Sequence, residues 1–538
     1  MPGAAVTVNR IVSMTDAHQY FSSSADLGFL TDALNTIGNL RPDGEEERNR
    51  TYLDTFDWRL FGAGMLLWED GRGRQASLVL AERDSGRERV SAGVRRKVRF
   101  AGDLPSANLR DLLAPVMEMR ALLPVAEVGT RRTRLRLLDD NAKTVVRLVI
   151  DHPAVKIDAR RQAVLPIRLS LQPVRGYDDW YGAVRRTLDN LDPLRPAQAD
   201  MLTEALAAIG RRPQDYSSKM NVELDPSMSA AAAAVRIHRY LLDTLERNVQ
   251  GTLDDTDSEF LHDFRVAVRR TRSALSQVKG VFPEEVTAHF RGEFGWLGQI
   301  TGPTRDLDVY LLEYEKYRDS LPEAMRDDLA LFHAFLVAHQ RREQRRLRRL
   351  LQGERFGKLL ADWRTFLDRP PAFAPEEAPS AALPVAEVAS RRIWRMYRRV
   401  RKEGRAITPQ SPASDLHELR KSCKKLRYLI EFFVSIYPEE AVKPLVKALK
   451  RLLDNLGEFQ DLEVHADHLR EFTGQMQAEG EVPLSTLLSM GGLVAGLLQR
   501  QVAAREVFDK RFKRFDVPEN RAAYRSLFRA QTEALESR

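Results

Sequence analysis

The strongest constraint on what this chain can fold into is an internal repeat with a fixed offset of 155 residues. His262 recurs as His417, Arg265 as Arg420, Arg272 as Arg427, and Phe282-Pro283-Glu284-Glu285 as Tyr437-Pro438-Glu439-Glu440. The same offset carries Leu297 to Leu452, Gly302 to Gly457, and Asp306-Leu307-Asp308 to Asp461-Leu462-Glu463. An offset unchanged over 47 residues implies two copies of one supersecondary plan. Each copy reads as four helices: one before the histidine, the histidine helix, one at the Asp-Leu-acid triplet and a longer one after it. Two four-helix bundles related by a pseudo-twofold follow.

The repeat centres on LHDFRVAVRRTR, 261–272, and LHELRKSCKKLR, 416–427. Steps of three, four and three join His262, Arg265, Arg269 and Arg272, and again His417, Arg420, Lys424 and Arg427, with Arg270 and Lys425 beside them. Side chains at these spacings share one helix face. The opposite face is apolar, with Phe264, Val268, Leu275 and Val278 in the first copy and Leu419, Cys423, Leu426, Ile430 and Phe433 in the second. Cys423, the sole cysteine, sits where the first copy has Val268 and reads as a small buried hydrophobe. Ser258 and Ser414 read as N-caps, which places both histidines in the first turn, where free N–H groups and the helix dipole favour an anion.

One such helix alone would be a solvated charged face. Two, facing each other across a pseudo-twofold, make a single basic groove for a polyanion. Linear polyphosphate suits it, with a charge on every unit and no bases to read; neutralised cations release counterions, so binding is salt-dependent. A bound phosphate raises a histidine pKa, so binding is expected to tighten towards pH 6. The acidic residues of the triplets, Asp306, Asp308, Asp461 and Glu463, are expected to pair with the arginines rather than to hold a metal. Arg305, opposite Gln460 in the repeat, is a secondary candidate, as are Arg236 and Arg391, which match at the offset, with Arg395 and Arg398 on the same face as Arg391. The arginines of 339–351 surround their helix and read as solvated surface. Nucleic acid is not the expected partner, because few aromatics interleave with the cations.

A chain of 538 residues exceeds one core. Residues 1–50 form a segment of unassigned role, with RPDGEEERNR at 41–50 read as a solvated loop. Short alternating runs over 51–220 read as an antiparallel β-rich domain, interrupted by a helix at 106–123 bent at Pro115. The second domain is all-α: repeat 1 at about 227–367, a proline-rich linker at 369–384, repeat 2 at about 385–515, then a tail at 516–538. The fold class is therefore α+β. No run is apolar enough for a membrane span and the first ten residues lack a signal-peptide pattern, so a cytoplasmic protein is expected. The net charge of +8 agrees with an acidic partner.

The pattern H-x-x-R-x-x-x-[RK]-[RK]-x-R, present twice, with Gly and the Asp-Leu-acid triplet after it, resembles the conserved-histidine α-helical domain, CHAD, over about 227–515. That resemblance implies paired four-helix bundles with a basic central surface, binding of inorganic polyphosphate and association with polyphosphate granules. Upstream, YLDTFDWRLFGAGMLLWED and RRTRLRLLDDNAKTVVRLVID resemble a worn CYTH domain, the triphosphate-tunnel metalloenzyme fold. Leu67 and Glu69 stand where that family has arginines, and Arg168, Ser170 and Gln172 where it has E-x-E-x-K. A CYTH-type triphosphatase or cyclase is thus the alternative reading, but the carboxylates for Mg²⁺ or Mn²⁺ are replaced. Neither catalytic residues nor a metal nor another cofactor is expected; Arg131, Arg132 and Arg134 remain as possible anion contacts.

Overall fold

The computed structural model describes residues 19–22, 28–71, 76–192, 194–196, 200–370 and 373–529. The chain divides into two compact units, Met1–Ser218 and Lys219–Arg538. Residues 1–18 of the N-terminal segment, 371–372 of the linker and 530–538 of the tail lie outside the described residues.

Unit 1 runs β1 (Gln19–Ser22), α1 (Gly28–Asn35), β2 (Asn39–Asp54), α2 (Arg59–Gly62), β3 (Met65–Asp70), β4 (Ser77–Glu82), β5 (Glu88–Gly93), α3 (Ala107–Met117), β6 (Leu123–Leu138), β7 (Thr144–Lys156), β8 (Gln162–Val164), β9 (Ile167–Pro173), α4 (Asp178–Asp189), β10 (Arg195–Pro196) and α5 (Met201–Ala208). The strands form one antiparallel sheet in the order β10-β1-β9-β7-β6-β2-β3-β4-β5, with β8 on β7. Period-two alternation divides its apolar residues among three clusters. Leu148, Ile150, Leu169 and Leu171 pack with Leu30 and Leu34 of α1 and Val184 and Leu188 of α4. Leu53, Leu67 and Leu80 pack with Leu109, Leu113 and Met117 of α3. Tyr52, Trp68, Val79 and Val128 pack with Met201, Leu202, Ala205 and Leu206 of α5.

Two expectations fail here. Residues 41–50 belong to β2, because Glu45 to Arg50 pair in register with Val128 to Thr133 of β6, and their cross-strand charges make the strand's polar composition tolerable. The helix expected over 106–123 ends at Met117, two residues after Pro115. Glu118 then turns with a positive φ, and Leu123 begins β6.

Unit 2 is helical: α6 (Ala230–Leu253), α7 (Ser258–Gln277), α8 (Glu284–Ile300), α9 (Gly302–Asp319), α10 (Ala330–Leu351), α11 (Glu354–Asp368), α12 (Val385–Ala406), α13 (Ala413–Phe433), α14 (Glu439–Glu479), α15 (Leu484–Phe515) and α16 (Pro518–Tyr524). The four-helix plan is visible in both copies, with two of its helices broken in the first. Where the second copy has Leu456-Gly457-Glu458 inside the 41-residue α14, the first has Thr301-Gly302-Pro303 between α8 and α9. Proline has no N–H for the preceding turn, so the helix is interrupted there. Gly353 separates α10 from α11 where the second copy has Phe508 within α15.

The two copies share a core. Tyr310, Phe332 and Leu336 of the first copy join Leu469, Met476 and Met490 of the second in one apolar cluster. Another cluster is built mainly from α6, α7, α8 and α11. α12 and α15 approach closely enough that a Cβ on Gly404 would enter the Phe512 ring. The expected linker is pinned rather than loose: the Ser380 N–H donates to Gly280 O over 2.7 Å, and the Ala230 N–H to Leu383 O over 2.8 Å. Residues 516–529 of the expected tail also belong to the core, with Tyr524 stacked on Tyr397 at 3.8 Å and Phe528 buried against Tyr437. Among the described residues no helix is long and apolar enough to cross a membrane.

Candidate functional site

Each histidine helix is held by its apolar face. Phe264, Val268 and Leu275 on α7 and Leu419, Cys423, Leu426, Ile430 and Phe433 on α13 are buried. That burial also pushes the Cys423 thiol well above its ordinary pKa, so the cysteine acts as a small hydrophobe. The expected caps are displaced. Asp257, one residue before Ser258, caps α7, accepting from the N–H groups of Glu259 at 3.0 Å and Phe260 at 3.3 Å. α13 starts at Ala413 after Pro412, and Ser414 lies inside it. His262 and His417 are therefore each the fifth helical residue, past the N–H groups that the helix leaves free.

α7 and α13 pack against each other. Residues one repeat apart meet across the interface. Lys424 is pulled down to about 8 by burial and by the Arg420 and Arg269 guanidinium groups, against attraction to Asp461. Arg269 is the repeat equivalent of Lys424. Below them Tyr310 of α9 and His465 of α14, again equivalents, contact at 5.0 Å between ring centroids. Around this pair the contacts are reciprocal: Tyr310 packs on Phe472 at 5.1 Å, and the equivalent pair, Tyr317 and His465, is joined by a 2.7 Å hydrogen bond. Self-pairing and reciprocal pairing are the signature of a twofold axis, here an approximate one within a single chain.

The motif cations differ in what already holds them. Arg265 donates through Nη1 to Gly298 O at 3.1 Å and Thr301 Oγ1 at 2.9 Å, caulking the break before Pro303. Its equivalent Arg420 faces an unbroken helix and donates to Gln460 Oε1 at 2.7 Å and Asp461 Oδ1 at 3.0 Å. In both copies the repeated glycine, Gly302 or Gly457, lies beneath this guanidinium. His417 Nε2 stands 2.8 Å from Glu463 Oε2, a pair that attracts when the imidazole is protonated. Arg270 and Arg427 share the carboxylate of Glu431. Arg269, Arg272, Lys424 and Lys425 have no hydrogen-bond or ion-pair partner among the described residues.

The acids divide their roles. Asp461 pairs with Arg420 as expected. Asp308 instead is buried, its carboxyl pushed up to about 7 chiefly by burial, and it accepts from Gln340 Nε2 at 3.0 Å. Asp306 attracts Arg265 without forming an ion pair. Arg305 holds the start of α7 through Ser258 O at 2.8 Å. Arg391 pairs with Glu387 on its own helix, Arg395 and Arg398 are exposed, and Arg236 lines a separate cleft with Phe282 and Leu367. None of these four shares a partner with the α7 and α13 cations. Glu431 was missed in the sequence reading, although its spacing of four from Arg427 signals one half of its role.

In unit 1, Arg132 is bidentate to Asp151 at 2.6 and 2.8 Å, Arg134 donates to Glu46 at 2.7 Å, and buried Arg168 donates to Glu204 at 2.8 Å. Arg48 takes the other side of Glu46. Arg131 faces the other way, as strand alternation requires, so 131, 132 and 134 do not converge. The family resemblance implies Mg²⁺ or Mn²⁺ in this unit. The residues do not fit such an ion: the carboxylates on this face are engaged by arginines, and no three His, Cys, Asp or Glu side chains among the described residues gather for a metal.

The family model of the CHAD domain matches residues 236–470. Two uncharacterized Mycobacterium tuberculosis proteins, Rv2226 and MT2285, are 29% identical over 221 residues, which is 39% of this chain and 39% of each relative. The crystal structure of the CHAD domain from the plant Ricinus communis is 24% identical, with a TM-score of 0.45 over 54% of this chain and 96% of that one. A Hippeastrum protein described as having a dominant triphosphatase activity is 11% identical, with a TM-score of 0.25 over 37% of this chain and 99% of that one.

The cap assignment has a direct test by denaturant unfolding. Asp257→Ala is expected to cost roughly 1 kcal/mol, within the usual range of about 0.5–2 for a lost cap, whereas Ser258→Ala stays within about 0.5.

Proposed function

We propose that unit 2 binds inorganic polyphosphate in the groove between α7 and α13, and that this binding associates the protein with polyphosphate granules. The observation that carries the reading is the packing of α7 on α13 with Arg269, Arg272, Lys424 and Lys425 left without a hydrogen-bond or ion-pair partner among the described residues. Burial and the neighbouring Arg420 and Arg269 charges depress Lys424 to about 8. A site that raises the energy of its own cations is relieved by an anion. Arg272 and Lys425 extend the unpaired charge along both helices, which suits a linear chain of phosphates better than a single one. Arg265, Arg420 and Arg427 retain donors beyond those already engaged. His262 and His417 complete the stripe, with Glu463 Oε2 2.8 Å from His417 Nε2.

Unit 1 is not proposed as an enzyme. Among the described residues its inner-face carboxylates pair with arginines and no three metal-ligating side chains gather.

Three measurements test this reading. Long-chain polyphosphate and single-stranded DNA of equal charge are titrated against wild type and an Arg269→Glu, Lys424→Glu double variant. Wild type should prefer polyphosphate with a steep salt dependence, and the variant should lose roughly tenfold or more. Preference for DNA, or unchanged affinity in the variant, sinks the proposal. The second varies pH at constant ionic strength. Binding favours the charged amine, so the Lys424 contribution should be present well below pH 8 and be lost as pH rises through and above it, where free Lys424 becomes neutral. Third, a triphosphatase assay with Mn²⁺ should show no turnover; turnover abolished by Arg132→Ala would restore the enzyme reading.

A further inference from the structure

The repeat predicts that the ends of the two basic stripes should be equivalent, and they are not. By the 155-residue offset Arg272 corresponds to Arg427, and Arg270 to Lys425. Arg427 Nε donates to Glu431 Oε1 at 2.6 Å, and Arg270 Nη2 donates to Glu431 Oε2 at 3.1 Å. One carboxylate thus takes one arginine from each copy, with an oxygen for each. Arg272 and Lys425, the equivalents of those two arginines, have no such partner among the described residues. The missing carboxylate is a single difference in sequence. Where the second copy has Glu431, the first has Ser276, whose hydroxyl donates to Arg272 O at 2.7 Å and brings no charge.

A carboxylate bridging two guanidinium groups from facing helices presents two anionic oxygens where a phosphoryl group would present its own. We propose that Glu431 fills, from within the chain, a subsite for one phosphoryl unit, so that the groove engages one unit fewer than its repeat geometry allows. This rests on the polyphosphate reading and deepens it. Glu431 is a specificity-determining residue: it caps the charge offered at one end of the stripe and ties α7 to α13 there. A ligand reaching this end must displace a carboxylate that is already in place, mostly buried and held by two charge-assisted bonds. The opposite pair, Arg272 and Lys425, carries no such competitor, so the groove has an open side and an occupied side.

The test uses the full chain and sodium polyphosphate of defined length, with affinity measured across a salt series and thermal unfolding measured in parallel. Glu431→Gln removes the negative charge that Arg427 and Arg270 share. It should tighten binding at about 0.1 M salt and steepen the slope of log K against log salt by on the order of one to two units, because one to two further cations release counterions. Ser276→Glu places a carboxylate four residues after Arg272, as Glu431 stands after Arg427, and should weaken binding and flatten the slope by about one unit. Glu431→Gln with wild-type thermal stability but unchanged or weaker binding overturns the proposal. If Glu431→Gln unfolds, Ser276→Glu decides alone, and an unchanged slope there overturns it. Wild-type binding in the same titration separates the two claims. No binding by wild type removes the polyphosphate reading and this inference with it, whereas wild-type binding that neither variant moves removes the inference alone.

Discussion

Everything in unit 2 depends on a balance between apolar burial and like-charge repulsion at the meeting of α7 and α13. Two unit charges about 4 Å apart repel by about 1 kcal/mol in water and about 4 at an effective dielectric of 20. Against this stand the buried side chains of the two helices: Phe264, Val268 and Leu275 on one, Leu419, Leu426, Ile430 and Phe433 on the other. Each contributes about 1.5–3 kcal/mol on leaving water. Burial therefore exceeds such a repulsion several-fold, and α7 can pack on α13 with Arg269 and Lys424 unpaired among the described residues. The tempering acids stand at the flanks of the stripe, Asp461 beside Arg420 and Glu431 beside Arg427, and leave its middle charged.

The copies answer the same chemical need in different ways, and the reason is local. Pro303 breaks the helix that continues through Glu458 in the other copy. A broken helix exposes carbonyls, so Arg265 turns to Gly298 O and Thr301, while Arg420 reaches the side chains of Gln460 and Asp461. Arg265 divides its donors between a backbone carbonyl and a hydroxyl while Arg420 uses two side chains, although both sit over the repeated glycine. The two motif arginines are thus committed to different partners at the same place in the repeat.

The architecture was legible where periodicity carried it. The 155-residue offset, the three-four-three spacing and the change from alternating to helical texture all follow from backbone geometry, and the two-unit organisation expresses them. Strand 39–54 was not legible, because its polar run reads as a loop until Arg131, Arg132 and Arg134 are placed across from it. Nor was the capping by Asp257, since Asp and Ser side chains one residue apart are equally able acceptors and only the φ/ψ of the chain decides. The burial of Tyr524 and Phe528 depends on a surface made by α12 that no local pattern announces. Charge partners divide in the same way: Glu431 to Arg427 is a helical spacing, but Arg270 to Glu431 spans 161 residues and exists only once the helices have packed.

The asymmetry of the groove bears on why the two copies are joined in one chain. A homodimer of one copy would carry every residue twice, so Glu431 on one side would bring its twin, and both ends of the stripe would be neutralised together. Ser276 opposite Glu431, Arg305 opposite Gln460 and Pro303 opposite Glu458 are possible together only because fusion frees each copy to change alone. The packed pair α7 and α13 keeps the repeat equivalents Arg269 and Lys424 and differs at its flanks one residue at a time.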